Sequence, residues 1–381
     1  MKAVIITNST NYEPRAEKVG LFLQKHGHQV MWLETNFNHM EKAKKKRQLA
    51  DHHYIDTVPY KKNMSIQRMY SQYDFSRKVF RILKDEDIDL LYVLIPANSL
   101  TPVAARLKAR LHAKVVVDII DLWPESLPFK GLEGFWPVQY WRKLRDDYLK
   151  EADLVITECE LYQKILHLSR ETRKSKAAIT MYWPKETEAE GEPVFQPDRY
   201  YLHVVYLGSI NNIIDMELII EILNKVNQKK KIILHIIGDG EKRDVFLKEL
   251  EEHSILIEYH GVIYKEEEKK RIFEICSFGI NIMKDSVCVG LTMKSIDYFC
   301  YGVPMINSIQ GDTWRLIEDY GIGVNCDRKD ADKCAEKIIE SAEKIQQKRG
   351  IIRELYRRLF TREAMEEVLY REVLPLLEKE I

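Results

Sequence analysis

Short runs rich in Val, Ile and Leu alternate with longer segments of helical period along this chain, and that alternation restricts the fold more than any motif does. Ala3–Thr7, Gln29–Leu33, Leu90–Ile95, Lys114–Asp118 and Leu154–Thr157 read as strands, joined by helical stretches at Arg15–Lys25, Ile66–Lys84, Val103–Leu111 and Val138–Lys150. Near-continuous Val/Ile/Leu strands of this kind belong to a parallel sheet covered on both faces. From Pro184 to Pro197 the pattern stops. Glu186, Glu188, Glu190 and Glu192 sit there among prolines with no apolar period, which reads as a linker. The alternation then restarts, with strands at Val204–Leu207, Ile232–Ile237, Ile255–Tyr259, Phe278–Ile282 and Val303–Ile306 and helices near Met216–Val226, Glu241–Glu251, Lys265–Ile275 and Ala331–Lys344. The predicted class is α/β, with two doubly wound Rossmann-like domains, 1–185 and 198–350, facing a central cleft. A last helical segment, about 355–381, is expected to pack back on the first domain.

The 381 residues are 45% hydrophobic, enough to bury two cores. Lysine plus arginine and aspartate plus glutamate both number 59, so net charge offers nothing to a nucleic-acid partner. Cys159, Cys276, Cys288, Cys300, Cys326 and Cys334 show no C-x-x-C pair, so we expect neither a zinc site nor a disulfide framework, and a reducing cytoplasm. Met1 to Thr7 begins a strand at once and lacks the features of a signal peptide. Leu90 to Ala105, the most apolar uncharged stretch, is broken by Pro96 and Pro102 and falls short of the ~20 residues of a membrane helix.

One stretch combines the parts of an anion site. Gly290, Leu291, Thr292 and Met293 form a small turn, Lys294–Tyr301 a short helix, Gly302 its stop, and Val303–Ile306 the next strand. Free N–H groups and the positive dipole end at such a helix start hold phosphate, and Asp297 lies one turn on, placed to accept from sugar hydroxyls. Two further glycine-bearing turns end strands of the same domain, Gly208-Ser209 and Gly238-Asp239-Gly240. A strand-turn-helix without a ligand would carry the same local pattern.

These residues resemble the nucleotide-sugar domain of GT-B glycosyltransferases of family 4. The resemblance rests on the order Tyr206-Leu207-Gly208, Ile237-Gly238-Asp239-Gly240-Glu241, His260-Gly261-Val262, and Lys294 to Tyr298 followed by Gly302-Val303-Pro304. Gly290 to Pro304 is its most specific part and is similar to bacterial enzymes of capsule, exopolysaccharide and O-antigen assembly. In the first half, Asp121-Leu122-Trp123-Pro124-Glu125 resembles a segment these enzymes carry at the cleft. The family implies hexosyl transfer from a nucleoside-diphosphate donor, UDP-sugar above all, to an acceptor hydroxyl of a glycan or lipid-linked sugar. It also implies retention at the anomeric carbon and no required cofactor.

Carried over residue by residue, the resemblance places Asp297 at the second acid of an E-x7-E motif, on the donor ribose. Gly290 to Met293 would supply amides to the diphosphate, and Gly238, Gly240, Gly261 and Val262 would border base and ribose. Three departures stand out: Val289 replaces the first Glu, Ser209 and Ile214 stand where Arg and Lys are usual, and Asp118 or Asp121 occupies the region of the usual His. Lys294 is then left to meet the leaving diphosphate, and Asp118 or Asp121 to stabilise sugar charge or deprotonate the acceptor. Asn11, Arg15, Trp123 and Glu125 are the acceptor-side candidates. A UDP-sugar epimerase on the same frame, or a partner subunit without catalysis, remains as an alternative.

No His, Cys and carboxylate cluster has metal-ligand spacing, and Asp87-Ile88-Asp89 precedes its strand rather than following it, so its acids read as solvated and no required cation is expected. The basic run Glu41 to Arg47 and the aromatic run Phe135 to Lys143 suggest peripheral contact with anionic lipid at the inner face of the plasma membrane, although Trp136 and Trp141 also read as core.

Overall fold

The computed structural model describes residues 1–45, 49, 51–62, 65–126, 134–167, 177–185 and 191–378. Lys46 and Arg47 of the basic run, Glu186, Glu188 and Glu190 of the linker, and the last three residues lie outside them. The chain divides into two units, one of Met1–Trp183 with Glu363–Ile381 and one of Pro184–Arg362.

The first unit is built on β1 (Lys2–Thr7), β2 (Gln29–Thr35), the short antiparallel pair β3 (Phe37–Asn38) and β4 (Ala43–Lys44), β5 (His52–Ile55), β6 (Leu90–Ile95), β7 (Lys114–Ile119), β8 (Leu154–Thr157) and β9 (Ala177–Thr180). Its parallel sheet runs β5-β2-β1-β6-β7-β8-β9. Every residue of β6 is buried, as expected for an interior strand between helical layers. Met365, Leu369, Val373 and Leu377, from the end of the chain, join Ile5, Tyr92 and Ile156 in this unit's core.

The second unit carries β10 (Leu202–Leu207), β11 (Ile232–Ile237), β12 (Leu256–Gly261), β13 (Phe278–Asn281), β14 (Met305–Asn307) and β15 (Gly323–Asn325), ordered β12-β11-β10-β13-β14-β15 and all parallel. Strand order reverses between β10 and β13, the switch point whose carboxyl ends diverge and leave a crevice for ligand in doubly wound sheets. One face of the sheet is closed by an apolar core that includes Val204, Tyr206, Leu234, Ile236 and Phe246.

Two expectations are corrected. Cys326 and Cys334 are not scattered thiols: the turn into helix Ala331–Ser341 brings their Cα atoms to 5.4 Å, and they form a disulfide. Asp89, read as a solvated acid, accepts the backbone N–H of Lys2 at 2.7 Å and so ties the start of β1 to the start of β6.

Candidate functional site

Helix Met293–Tyr301 begins at the switch point of the second unit. Thr292 caps it, accepting from the Ser295 N–H at 3.2 Å while the Ser295 hydroxyl accepts from the Thr292 N–H at 3.1 Å. Those two donors are thereby used. The N–H groups of Met293 and Lys294 have no partner among the described residues. Thr292 is held in turn by a ladder of asparagines at successive strand ends. Its hydroxyl donates to Asn281 at 2.8 Å, Asn281 donates to Asn307 at 2.9 Å, and Asn307 to Asn325 at 2.9 Å. Gly302, at φ 68°, ends the helix in the left-handed region as its position predicted.

Lys294 is only 9% exposed. Its ammonium lies 4.5 Å from the centre of the Tyr206 ring, and no carboxylate among the described residues lies within ion-pair distance of it. Burial pushes its pKa down to about 8. A buried cation without an anion is costly and is normally matched by one. The glycine turns stand beside it: a Cβ on Gly208 would lie 3.8 Å from the Lys294 Cε. Gly238 packs on that turn so tightly that a Cβ would lie 2.0 Å from the Gly208 carbonyl oxygen, and its φ of 145° excludes other residues as well. Gly240 crowds Ile210, the Gly238 N–H donates to the Gly261 carbonyl at 2.7 Å, and Val262 is exposed beyond. Three strand ends thus form one wall. Ser209 and Asp239 lie exposed on it, Asp239 paired with Arg243 at 3.2 Å. The buried Gly290 accepts from Thr313 at 2.9 Å, and Leu291 is buried next to it.

Asp297 departs from the simple ribose reading. Lys185 and Lys269 both reach its Oδ1, Lys269 at 3.4 Å, and both also face Glu266. Its Oδ2 has no partner among the described residues.

In the first unit the structure separates the acids that the sequence left as alternatives. Asp118 and Arg15 are both fully buried and bound to each other, at 2.7 and 2.9 Å, with the Tyr92 hydroxyl donating to the same carboxylate at 2.7 Å. Arg15 also donates to the Met181 carbonyl at 2.9 Å. This corrects two expectations: neither side chain has a face for acceptor or sugar, and both hold the sheet to its neighbouring segments. Glu125 is likewise committed. Although burial alone would raise it, Arg145 bonds both its oxygens at 2.8 and 2.9 Å and holds it below the usual carboxylate range.

Asp121 is the acid that remains. The Tyr12 hydroxyl donates to it, and burial pushes its pKa up. Asn11 is exposed on the same turn as Tyr12. Nearby, the Arg68 guanidinium lies 4.2 Å over the ring of Trp123, itself nearly buried, and 5.7 Å over Tyr60. Arg68 was not singled out from sequence, because its role rests on stacking between residues far apart in the chain. Trp141 is buried, but Trp136 is 72% exposed beside exposed Phe135 and Tyr140, which corrects its reading as core.

Residues 202–344 match the family model described as Glycosyl transferases group 1. A 77-residue stretch is 30% identical to the chitobiosyldiphosphodolichol beta-mannosyltransferase of Candida glabrata, covering 20% of this chain and 17% of that protein. Over 98% of this chain, the fold superposes on 99% of a lipopolysaccharide outer core galactosyltransferase with a TM-score of 0.69 at 13% identity. It also superposes, over 98% of this chain and 100% of the other, on an Anabaena protein in complex with UDP-glucose, with a TM-score of 0.60 at 10% identity. The fold is that of the GT-B glycosyltransferases, and the matched domain contains the whole wall of glycine turns, Lys294 and Asp297.

No described helix is long and apolar enough to cross a membrane. Spacing along the chain showed no metal-type cluster, yet the sheet brings His235, Glu258 and His260 together, with one donor atom from each within 4.8 Å of the others.

Proposed function

We propose that the protein is a retaining hexosyltransferase that moves a sugar from a UDP-sugar to a glycan or lipid-linked acceptor in cell-surface polysaccharide synthesis. The observation that carries this reading is Lys294, a nearly buried ammonium with no carboxylate partner among the described residues, at a helix start whose first two N–H groups have none there either. A diphosphate supplies the missing charge. As the bond from the anomeric carbon to phosphate breaks, its electron pair passes to the leaving oxygen, and Lys294 with the Met293 and Lys294 amides takes up that growing charge. Leu291, Thr292 and Gly290 shape the turn that aims those donors. The Oδ2 of Asp297 is assigned to the ribose diol, with Lys185 and Lys269 bound at Oδ1.

On the acceptor side we assign Asp121, with Tyr12, Asn11, Arg68 and Trp123 around it. Burial raises its pKa above that of an ordinary aspartate, which makes it the more ready proton acceptor. The transferase match of residues 202–344 favours transfer over epimerisation. Titration calorimetry with UDP tests the donor site: saturable binding that weakens at least tenfold in Lys294→Ala is expected, and equal binding by both proteins would refute it. Exposed Phe135, Trp136 and Tyr140 beside Arg142 and Lys143 support peripheral lipid contact. Trp136→Ser should lower cosedimentation with phosphatidylserine vesicles; unchanged cosedimentation would remove that assignment.

A further inference from the structure

We infer that His235, Glu258 and His260 form a binding site for one divalent transition-metal ion of the zinc class, outside the nucleotide-sugar site. The residues come from neighbouring strands. His235 lies on β11, paired in register with Glu258 on β12, and His260 follows two residues later on the same strand. The pairing shifts register between Ile236 and Ile237, beside His260, and the His235 and His260 rings stack with centroids 5.3 Å apart, which puts both imidazoles on one side of the sheet. On β10 and β11 the alternate positions Val204, Tyr206, Leu234 and Ile236 fill the apolar core, and His203 and His235 take the opposite face.

Two of the three separations match a tetrahedral centre. His235 Nδ1 lies 3.0 Å from His260 Nε2 and 3.2 Å from Glu258 Oε2. Ligand atoms about 2.0–2.2 Å from one zinc ion stand roughly 3.3 Å apart at a tetrahedral angle. Two imidazoles and a carboxylate suit a borderline cation and leave a fourth position for water.

The hydrogen bonds behind His235 set its tautomer. His203 Nδ1 lies 2.7 Å from His235 Nε2, and His203 Nε2 lies 3.4 Å from Asp198, whose other oxygen is fixed by the N–H groups of Tyr200 and Tyr201. The chain from Asp198 is satisfied when His203 and His235 each carry the proton on Nε2. His235 Nδ1 then holds a lone pair, turned toward both the Glu258 carboxylate and His260 Nε2. A cation would take that lone pair, a carboxylate oxygen and His260 Nε2 as its ligands. His203 and Asp198 then stand behind His235 as the groups that fix the tautomer of a metal-bound imidazole. Glu258 is half exposed on the edge strand, which gives an ion a way in.

The test uses the full chain, stripped with chelator and titrated with ZnCl₂ by calorimetry, with bound zinc counted by mass spectrometry after dialysis. One equivalent per chain is expected, with affinity lowered at least tenfold in Glu258→Gln and in His260→Asn. Asp198→Asn should also weaken binding about tenfold, as loss of an outer-shell partner does. Glu258 is exposed enough that its variant should fold, and equal melting temperatures of wild type and variant in EDTA would establish that. UDP titrations of the same variants should match wild type, which separates this site from the nucleotide-sugar reading. Absence of saturable zinc binding, or one-equivalent binding that survives both ligand substitutions, would overturn the inference.

Discussion

Lys294 lays its ammonium against the face of Tyr206, 4.5 Å from the ring centre, at the point where strand order reverses. A cation–π contact of this kind is worth about 2 kcal/mol when desolvated, whereas burying an ion costs several. Tyr206 therefore orients the charge without fully compensating it, and the balance is left for an anion.

Replacing that cation should separate binding from stability. Lys294→Met is expected to lose roughly 2 kcal/mol of UDP affinity, about thirtyfold, as for a charge-assisted hydrogen bond. The free protein should melt no lower, because a buried uncompensated charge becomes an apolar chain of similar length. Calorimetry and thermal melting measure the two effects; a lower melting temperature with unchanged UDP affinity would make Lys294 a structural residue.

The same group sets a pH dependence. The pKa of Lys294 lies near 8, below the ordinary lysine value of 10.5, so the unfolded chain holds the extra proton between those limits. Its burial thus costs stability at neutral pH, and that cost disappears as pH rises from about 8 to 10.5. A diphosphate bound at this helix start would select the ammonium form. Affinity should be level below pH 8, fall by up to tenfold per unit above it, and lose this slope in Lys294→Met; an identical slope in both proteins would assign the titration elsewhere.

Asp297 is tested through the sugar of the nucleotide. If its Oδ2 accepts from the ribose, wild type should bind UDP more tightly than 2′-deoxy-UDP by about 1.5–3 kcal/mol, and Asp297→Ala should bind them alike. A preference that persists in the variant would leave the carboxylate as the partner of Lys185 and Lys269 alone.

The two aspartates of the first unit should behave oppositely. Asp118→Ala leaves Arg15 buried and unpaired, and a loss of about 3–5 kcal/mol in urea unfolding is expected. Asp121→Asn should change stability little and lower turnover about 10²-fold or more, as for a lost general base. Comparable stability losses in both would show that Asp121 is also a packing residue.

The parts of this protein legible in its sequence are those decided locally. β6, β8 and β11 have the bounds read from the chain because Val, Ile and Leu dominate each of them, with single exceptions such as His235 and Thr157. β5, with the sequence His-His-Tyr-Ile, and the three-residue β15 carry too little apolar pattern to be read. The turn at Gly290 and the helix after it were legible because turn, cap and stop are consecutive. Arg15 and Asp118 were not, since 103 positions separate them and only folding makes them one ion pair. The His235, Glu258 and His260 cluster was hidden for the same reason: its spacing exists across strands, not along them.

Lys185 and Phe360 are joined by a 2.8 Å backbone hydrogen bond, so the chain enters and leaves the second unit at one place. After leaving, it returns to the first unit's core through Met365, Leu369, Val373 and Leu377. Seen from the first unit, everything between those crossings is a single closed loop with adjoining ends. A loop so closed can be lifted out and exchanged at two neighbouring joints without rethreading the host sheet, which makes the second unit an interchangeable cassette.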